Sequence, residues 1–210
     1  MTYKTTRILF LIIFSICTFT SFSQFRPIEI NWTYDGNSTL TIQEGNIVKT
    51  DLKTDKETIL VKRDQLIPAG ATAPLTFNIY SFSPDYKMLL IFTNTAKVWR
   101  YHTRGDYWVL NLVSNQLTQL GKTLPSQSLM FAKISPDGRQ AAYVSDYNIY
   151  SEDLSTHSIK ALTVDGTRKF INGTFDWVYE EELGCRDGFR WSPDSKKIAF
   201  WQVDARKIRD

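Results

Sequence analysis

Ser-Pro-Asp occurs three times in the 210 residues, each time inside a longer shared pattern. The copies read SFSPDYKMLLIFT (Ser81 to Thr93), KISPDGRQAAYVS (Lys133 to Ser145) and RWSPDSKKIAFWQ (Arg190 to Gln202). In each, an aromatic or aliphatic residue precedes the tripeptide, polar residues turn the chain, and an apolar run follows. The serines are Ser83, Ser135 and Ser192, so the spacings are 52 and 57 residues. A degenerate copy, NWTYDGNSTLTIQ, begins at Asn31, about one period earlier. A self-similar period of this length is the signature of stacked units, a solenoid or a propeller.

The unit's chemistry selects between these. Pro fixes φ at the first turn position, Asp accepts from the turn backbone, and Gly138 frees φ in the middle copy. Between copies lie short β-rich runs: DYWVLNL (Asp106 to Leu112), YNIYSEDL (Tyr147 to Leu154) and IKALTVDG (Ile159 to Gly166). Each ends in turn residues, and helical periodicity is weak after residue 25. About four short strands per ~50 residues is the content of one propeller blade. The expected fold is therefore all-β, an incomplete β-propeller of about three to four blades. Since propellers usually close with four to eight blades, residues 24–210 read as the N-terminal part of a longer propeller.

The first residues do not belong to that pattern. Lys4 and Arg7 precede an apolar run from Ile8 to Phe19, and small residues follow at Ser21 and Ser23. This is the layout of a signal peptide, residues 1–23, cleaved near Ser23 in an exported (periplasmic or extracellular) protein. The run is too short for a spanning helix, and the residues around Cys17 do not suit lipid attachment. Removing the segment leaves 23 basic against 22 acidic residues, a formal charge of +1. No basic footprint for nucleic acid remains. Cys185 is then the sole cysteine, which excludes an intrachain disulfide and reads as a buried thiol. The only histidines, His102 and His157, have no partners at metal-site spacing, and nothing calls for a cofactor.

The sharpest local feature is FDWVYEEEL, Phe175 to Leu183, in which Glu180, Glu181 and Glu182 adjoin three apolar side chains. Adjacent carboxylates repel, more so where water is partly excluded, so the stretch asks for a cation. Taken alone it is equally an exposed helix start, capped by Asp176 with the glutamates near the positive dipole end. Arg100, beside Trp99 in AKVWRYH (Ala96 to His102), is a candidate binding group or a cation lying on an aromatic. Arg104-Gly105-Asp106 reads as a hairpin turn rather than an adhesion motif. Asn31, Asn37 and Asn172 head Asn-x-Ser/Thr sequons, to which no function is assigned.

Together, FDWVYEEEL, the following RWSPDSKKIAFWQVD and the upstream AKVWRYH resemble the N-terminal propeller of dipeptidyl-peptidase IV, of the prolyl oligopeptidase family of serine peptidases. The resemblance runs from about Asn31 to the end and is strongest over Ile79 to Asp204. It implies a short helical insertion that carries the glutamates into the cavity facing a catalytic domain. It also implies that Glu181 and Glu182 bind the free α-ammonium of a peptide and that Arg100 binds the carbonyl of its second residue. The implied partners are peptide N-termini, a C-terminal α/β-hydrolase domain and a possible second copy of the full-length protein. A nucleophile elbow needs Gly-x-Ser-x-Gly. Only Gly36 has Ser two positions on, and Leu40 then fills the final place. The catalytic serine, aspartate and histidine of such a family are thus not in these residues, which alone are expected to hydrolyse nothing. A reading from another class is a noncatalytic propeller that binds or scaffolds.

Overall fold

The computed structural model describes residues 31–209. The signal-peptide reading falls outside them. Strands appear in groups of four. The first group is β1 (Asn31–Trp32), β2 (Ser38–Gln43), β3 (Asn46–Asp51) and β4 (Glu57–Val61), paired in that order. The second is β5 (Phe77–Phe82), β6 (Met88–Val98), β7 (Tyr101–Asn111) and β8 (Gln116–Gln119). The third is β9 (Leu129–Ile134), β10 (Gln140–Ser145), β11 (Asn148–Asp153) and β12 (Ile159–Ala161). Pairing of Arg104 with Met130 and Gly105 with Leu129 joins these two groups edge to edge through β7 and β9. The last group pairs β13 (Phe170–Asn172) with β16 (Gln202–Asp204), and β14 (Phe189–Trp191) with β15 (Ile198–Phe200). The three to four blades expected from the repeat are present.

Each Ser-Pro-Asp copy forms the same local device. The Ser83, Ser135 and Ser192 hydroxyls donate to Asp85, Asp137 and Asp194 at 2.7, 2.6 and 2.6 Å. They also accept from the backbone five residues on, Met88, Gln140 and Lys197, at 3.0, 3.0 and 2.9 Å. In the degenerate copy Thr33 replaces serine and does the same with Asp35 and Ser38 at 2.6 and 3.1 Å. The turn therefore launches the strand that follows it from a fixed place in every blade.

Those strands carry the core, because successive side chains face opposite sides of a strand. Leu89 and Ile91 pack with Leu40 and Ile47 of the first blade, whereas Leu90 and Phe92 pack with Tyr107, Leu129 and Tyr143 toward the third. On β10, Ala141 and Tyr143 face the second blade; Ala142 and Val144 face Phe189 in the fourth. Both faces of these strands are buried, which is why they read as unbroken apolar runs. The core is a stack of inter-blade layers.

One expectation is corrected here. Gly105 and Asp106 lie inside β7, and the turn of this hairpin is at Trp99 and Arg100. Glycine at position 105 serves close packing, since a Cβ there would stand 2.5 Å from the Phe92 ring and 2.7 Å from the Thr93 carbonyl oxygen. β6 and β7 run to 11 residues each and carry their tip past the short strands around them.

Candidate functional site

The tip of that hairpin and a seven-residue helix, α1 (Trp177–Leu183), meet at the candidate site. Asp176 caps α1 by accepting from the Tyr179 amide at 3.1 Å. Gly184 ends it in the left-handed conformation, φ 66°, with its amide returned to the Tyr179 carbonyl. The capping reading and the cation-seeking reading of FDWVYEEEL thus hold at once, in different residues.

The three glutamates have three environments. Glu180 is buried and ion-paired with Arg186, its Oε1 3.3 Å from Nε. Glu181 holds Arg100: Oε2 lies 3.1 Å from Nε, with the carboxylate side chain 10% exposed and the arginine side chain 75% exposed. The other oxygen of Glu181, Oε1, is buried and has no hydrogen-bond partner among the described residues. Glu182 is exposed. So the structure brings Arg100 and Glu181 into contact, sets Glu182 beside them in the chain, and turns Glu180 inward.

Sequence reasoning missed Arg186. Its guanidinium carbon lies 3.6 Å from the centroid of the Tyr101 ring while its Nε holds Glu180. The aromatic-supported cation at this hairpin is therefore Arg186 on Tyr101, not Arg100 on Trp99. The only sequence signal was a lone arginine six residues after a glutamate, which is not specific. Beyond it, Asp187 pairs with Lys133 of β9 and, at 3.0 Å, with Arg190. Burial pushes the Lys133 ammonium down to about 8, against the opposing pull of Asp187. Trp191 donates its indole N–H to the Lys133 carbonyl at 3.2 Å. The segment that follows α1 is thus tied into the third blade. Cys185 is half-buried rather than sealed in the core.

A cleft of about 700 Å³ adjoins α1 and the hairpin tip, lined among others by Lys97, Trp99, Trp177 and Glu180. Arg100, Glu181 and Glu182 do not line it. A second cavity, about 580 Å³, sits between the first two blades around Tyr34, Phe82 and Tyr86, away from these carboxylates. Apart from these hollows, the Glu181 carboxylate keeps a buried oxygen without a donor, an arrangement that is costly.

Known proteins resemble this chain along most of its length. The family model for the dipeptidyl peptidase IV (DPP IV) N-terminal region matches residues 83–210. Dipeptidyl aminopeptidase B of Saccharomyces cerevisiae is 33% identical over 169 residues, covering 80% of this chain and 20% of that protein. A probable dipeptidyl-aminopeptidase B of Aspergillus fumigatus is 31% identical over 156 residues, covering 74% and 17%. The crystal structure of Porphyromonas gingivalis dipeptidyl peptidase 4 matches with a TM-score of 0.73 and 26% identity, over 84% of this chain and 25% of that one. The chain spans about a fifth of the length of the curated relatives it matches.

Proposed function

Because the chain belongs to the dipeptidyl peptidase IV N-terminal-region family, we propose that it is the substrate-recognising propeller portion of an exported dipeptidyl peptidase IV-like serine exopeptidase. In this reading Glu181 and Glu182 bind the free α-ammonium of a peptide, and Arg100 orients the carbonyl of its second residue. The observation that carries it is the half-paired Glu181 carboxylate, with one oxygen on Arg100 and the other buried without a donor. A peptide ammonium supplies three donors and a positive charge, and charge-assisted bonds of this kind are the strong ones.

Binding the amino end also measures the peptide. With the ammonium fixed, the chain reaches a set distance toward a nucleophile, and cleavage falls after a set number of residues. The nucleophile, its base and the acid that orients the base would come from an α/β-hydrolase domain in the same protein. The propeller's part is to orient, and the reaction is hydrolysis of a peptide bond two residues from a free amino end.

The test compares kcat/KM for one peptide with a free and with an acetylated amino end, in the full-length gene product and its Glu181→Gln and Glu182→Gln variants. Acetylation removes the cation, so the variants should lose far more on the free peptide. Equal losses on both substrates would show that these carboxylates support structure and do not read the amino end. Export is checked separately, by the mass of the mature protein, which should begin at Gln24.

A further inference from the structure

We infer that Arg186 is a positioning residue for the amino-end site, setting the separation between Arg100 and Glu181 by clamping the hairpin tip to α1. The inference rests on the functional reading above. Two rungs join the two elements. The outer rung is the Arg100–Glu181 pair, 3.1 Å long and open to solvent on the arginine side. The inner rung runs Tyr101–Arg186–Glu180, with the guanidinium 3.6 Å over the ring and 3.3 Å from the carboxylate. The rungs use consecutive residues on each side, Arg100 and Tyr101 on the hairpin, Glu180 and Glu181 on the helix. Whatever fixes the inner rung therefore fixes the outer one.

The two rungs differ in permanence. Arg186 is 26% exposed and Glu180 only 8%, and Thr174 holds the Arg186 carbonyl at 2.8 Å. Arg100 is largely in water and presents its solvent side to an arriving ligand. A planar guanidinium satisfies a carboxylate and a ring face together, which an ammonium does not do as well. The inner rung thus holds the hairpin tip against the helix while the outer one, with Glu181 Oε1 still lacking a donor, meets the substrate.

The test uses the full-length gene product and a dipeptide amide as competitive inhibitor, with its amino end free or acetylated. Arg186→Lys keeps the charge beside Glu180 but weakens the stack. Tyr101→Leu removes the stack and leaves the Glu180–Arg186 pair whole, so it carries the test alone should the first variant not fold. Misplacement on the order of 1 Å costs up to about a hundredfold, and a loosened rung about tenfold. Each variant should weaken inhibition by the free dipeptide about tenfold and that by the acetylated one little. KM for a free peptide should rise with kcat nearly held. The double variant should be no worse than either single one. A wild-type ratio of the two inhibition constants in both variants would overturn the inference, as would equal losses on both inhibitors. Glu181→Gln separates the two levels. A ratio that collapses there but not in the Arg186 and Tyr101 variants overturns the clamp alone. A ratio unchanged by Glu181→Gln overturns the amino-end reading and the clamp with it.

Discussion

Glu180, Glu181 and Glu182 are chemically identical and adjacent, yet one is ion-paired and buried, one half-paired, one in water. Pairing the first with Arg186 and the second with Arg100 offsets the repulsion that makes three consecutive carboxylates improbable on a simple surface helix. Sequence alone expects Glu180 to tolerate Gln if it faces outward. It faces inward, so Glu180→Gln should leave Arg186 without its counter-charge and lower stability by about 1–3 kcal/mol, read as a drop in Tm. An unchanged Tm would place the pair outside the stabilising contacts. Arg100 is mostly exposed, so Arg100→Ala should leave Tm alone. Under the proposed function it should lower kcat/KM on free dipeptidyl substrates by one to two decades, for a charged donor worth about 1.5–3 kcal/mol. Wild-type kinetics would remove Arg100 from the site. The Asp176 cap was legible because capping is local. The Arg186 clamp was not, because its partners are six residues apart on one side and 85 apart on the other, from Tyr101 to Arg186.

At the scale of elements, the turns were the most readable part and the long hairpin the least. Ser-Pro-Asp announces a turn through a fixed φ and a short acceptor side chain, and all three copies make it. A second recurrent turn, Asp51-Leu-x-Thr, Asn111-Leu-x-Ser and Asp153-Leu-x-Thr, went unread because its residues are commonplace. In each, the first side chain accepts backbone N–H groups two and three residues on, and the fifth residue, Asp55, Asn115 or His157, is left-handed. Gly105 was misjudged as a turn because glycine in a strand and glycine in a turn look alike in sequence. Its replacement by Ala should cost about 1–3 kcal/mol through the collision with Phe92, and a wild-type Tm would contradict that packing. The turn carboxylates also predict an acid response. Hydroxyl and backbone hydrogen bonds hold Asp35, Asp85, Asp137 and Asp194 below their ordinary 3.8, Asp35 at about 2. Their pKa values are depressed on folding, so their stabilisation is full above about pH 4 and is lost as pH falls toward 2. Urea midpoints should therefore drop between pH 6 and pH 3. Equal midpoints would show that the turns do not titrate with folding.

For the whole molecule, the repeated layers say what stability depends on. Counting six residues past each Ser-Pro-Asp serine reaches Leu89, Ala141 and Ile198. The first two open runs that are buried, Leu89 to Phe92 and Ala141 to Val144, whereas Phe200 and Trp201 are 42% and 67% exposed. Residues 24–210 expressed alone should aggregate through that face, since each layer needs a neighbour on both sides. A sharp, reversible melt of a monodisperse monomer would contradict this. The blade count was legible in the repeat period. Which hairpin outgrows its blade was not, because strand length beyond the core leaves no periodic signal. The central claim, that the half-paired carboxylate receives a peptide's amino end, is tested most directly by the structure of the full-length gene product with a bound dipeptide. The account predicts the ammonium nitrogen about 2.7–2.9 Å from Glu181 Oε1, with Glu182 turned toward it. An ammonium bound elsewhere, with Oε1 still lacking a donor, would contradict it.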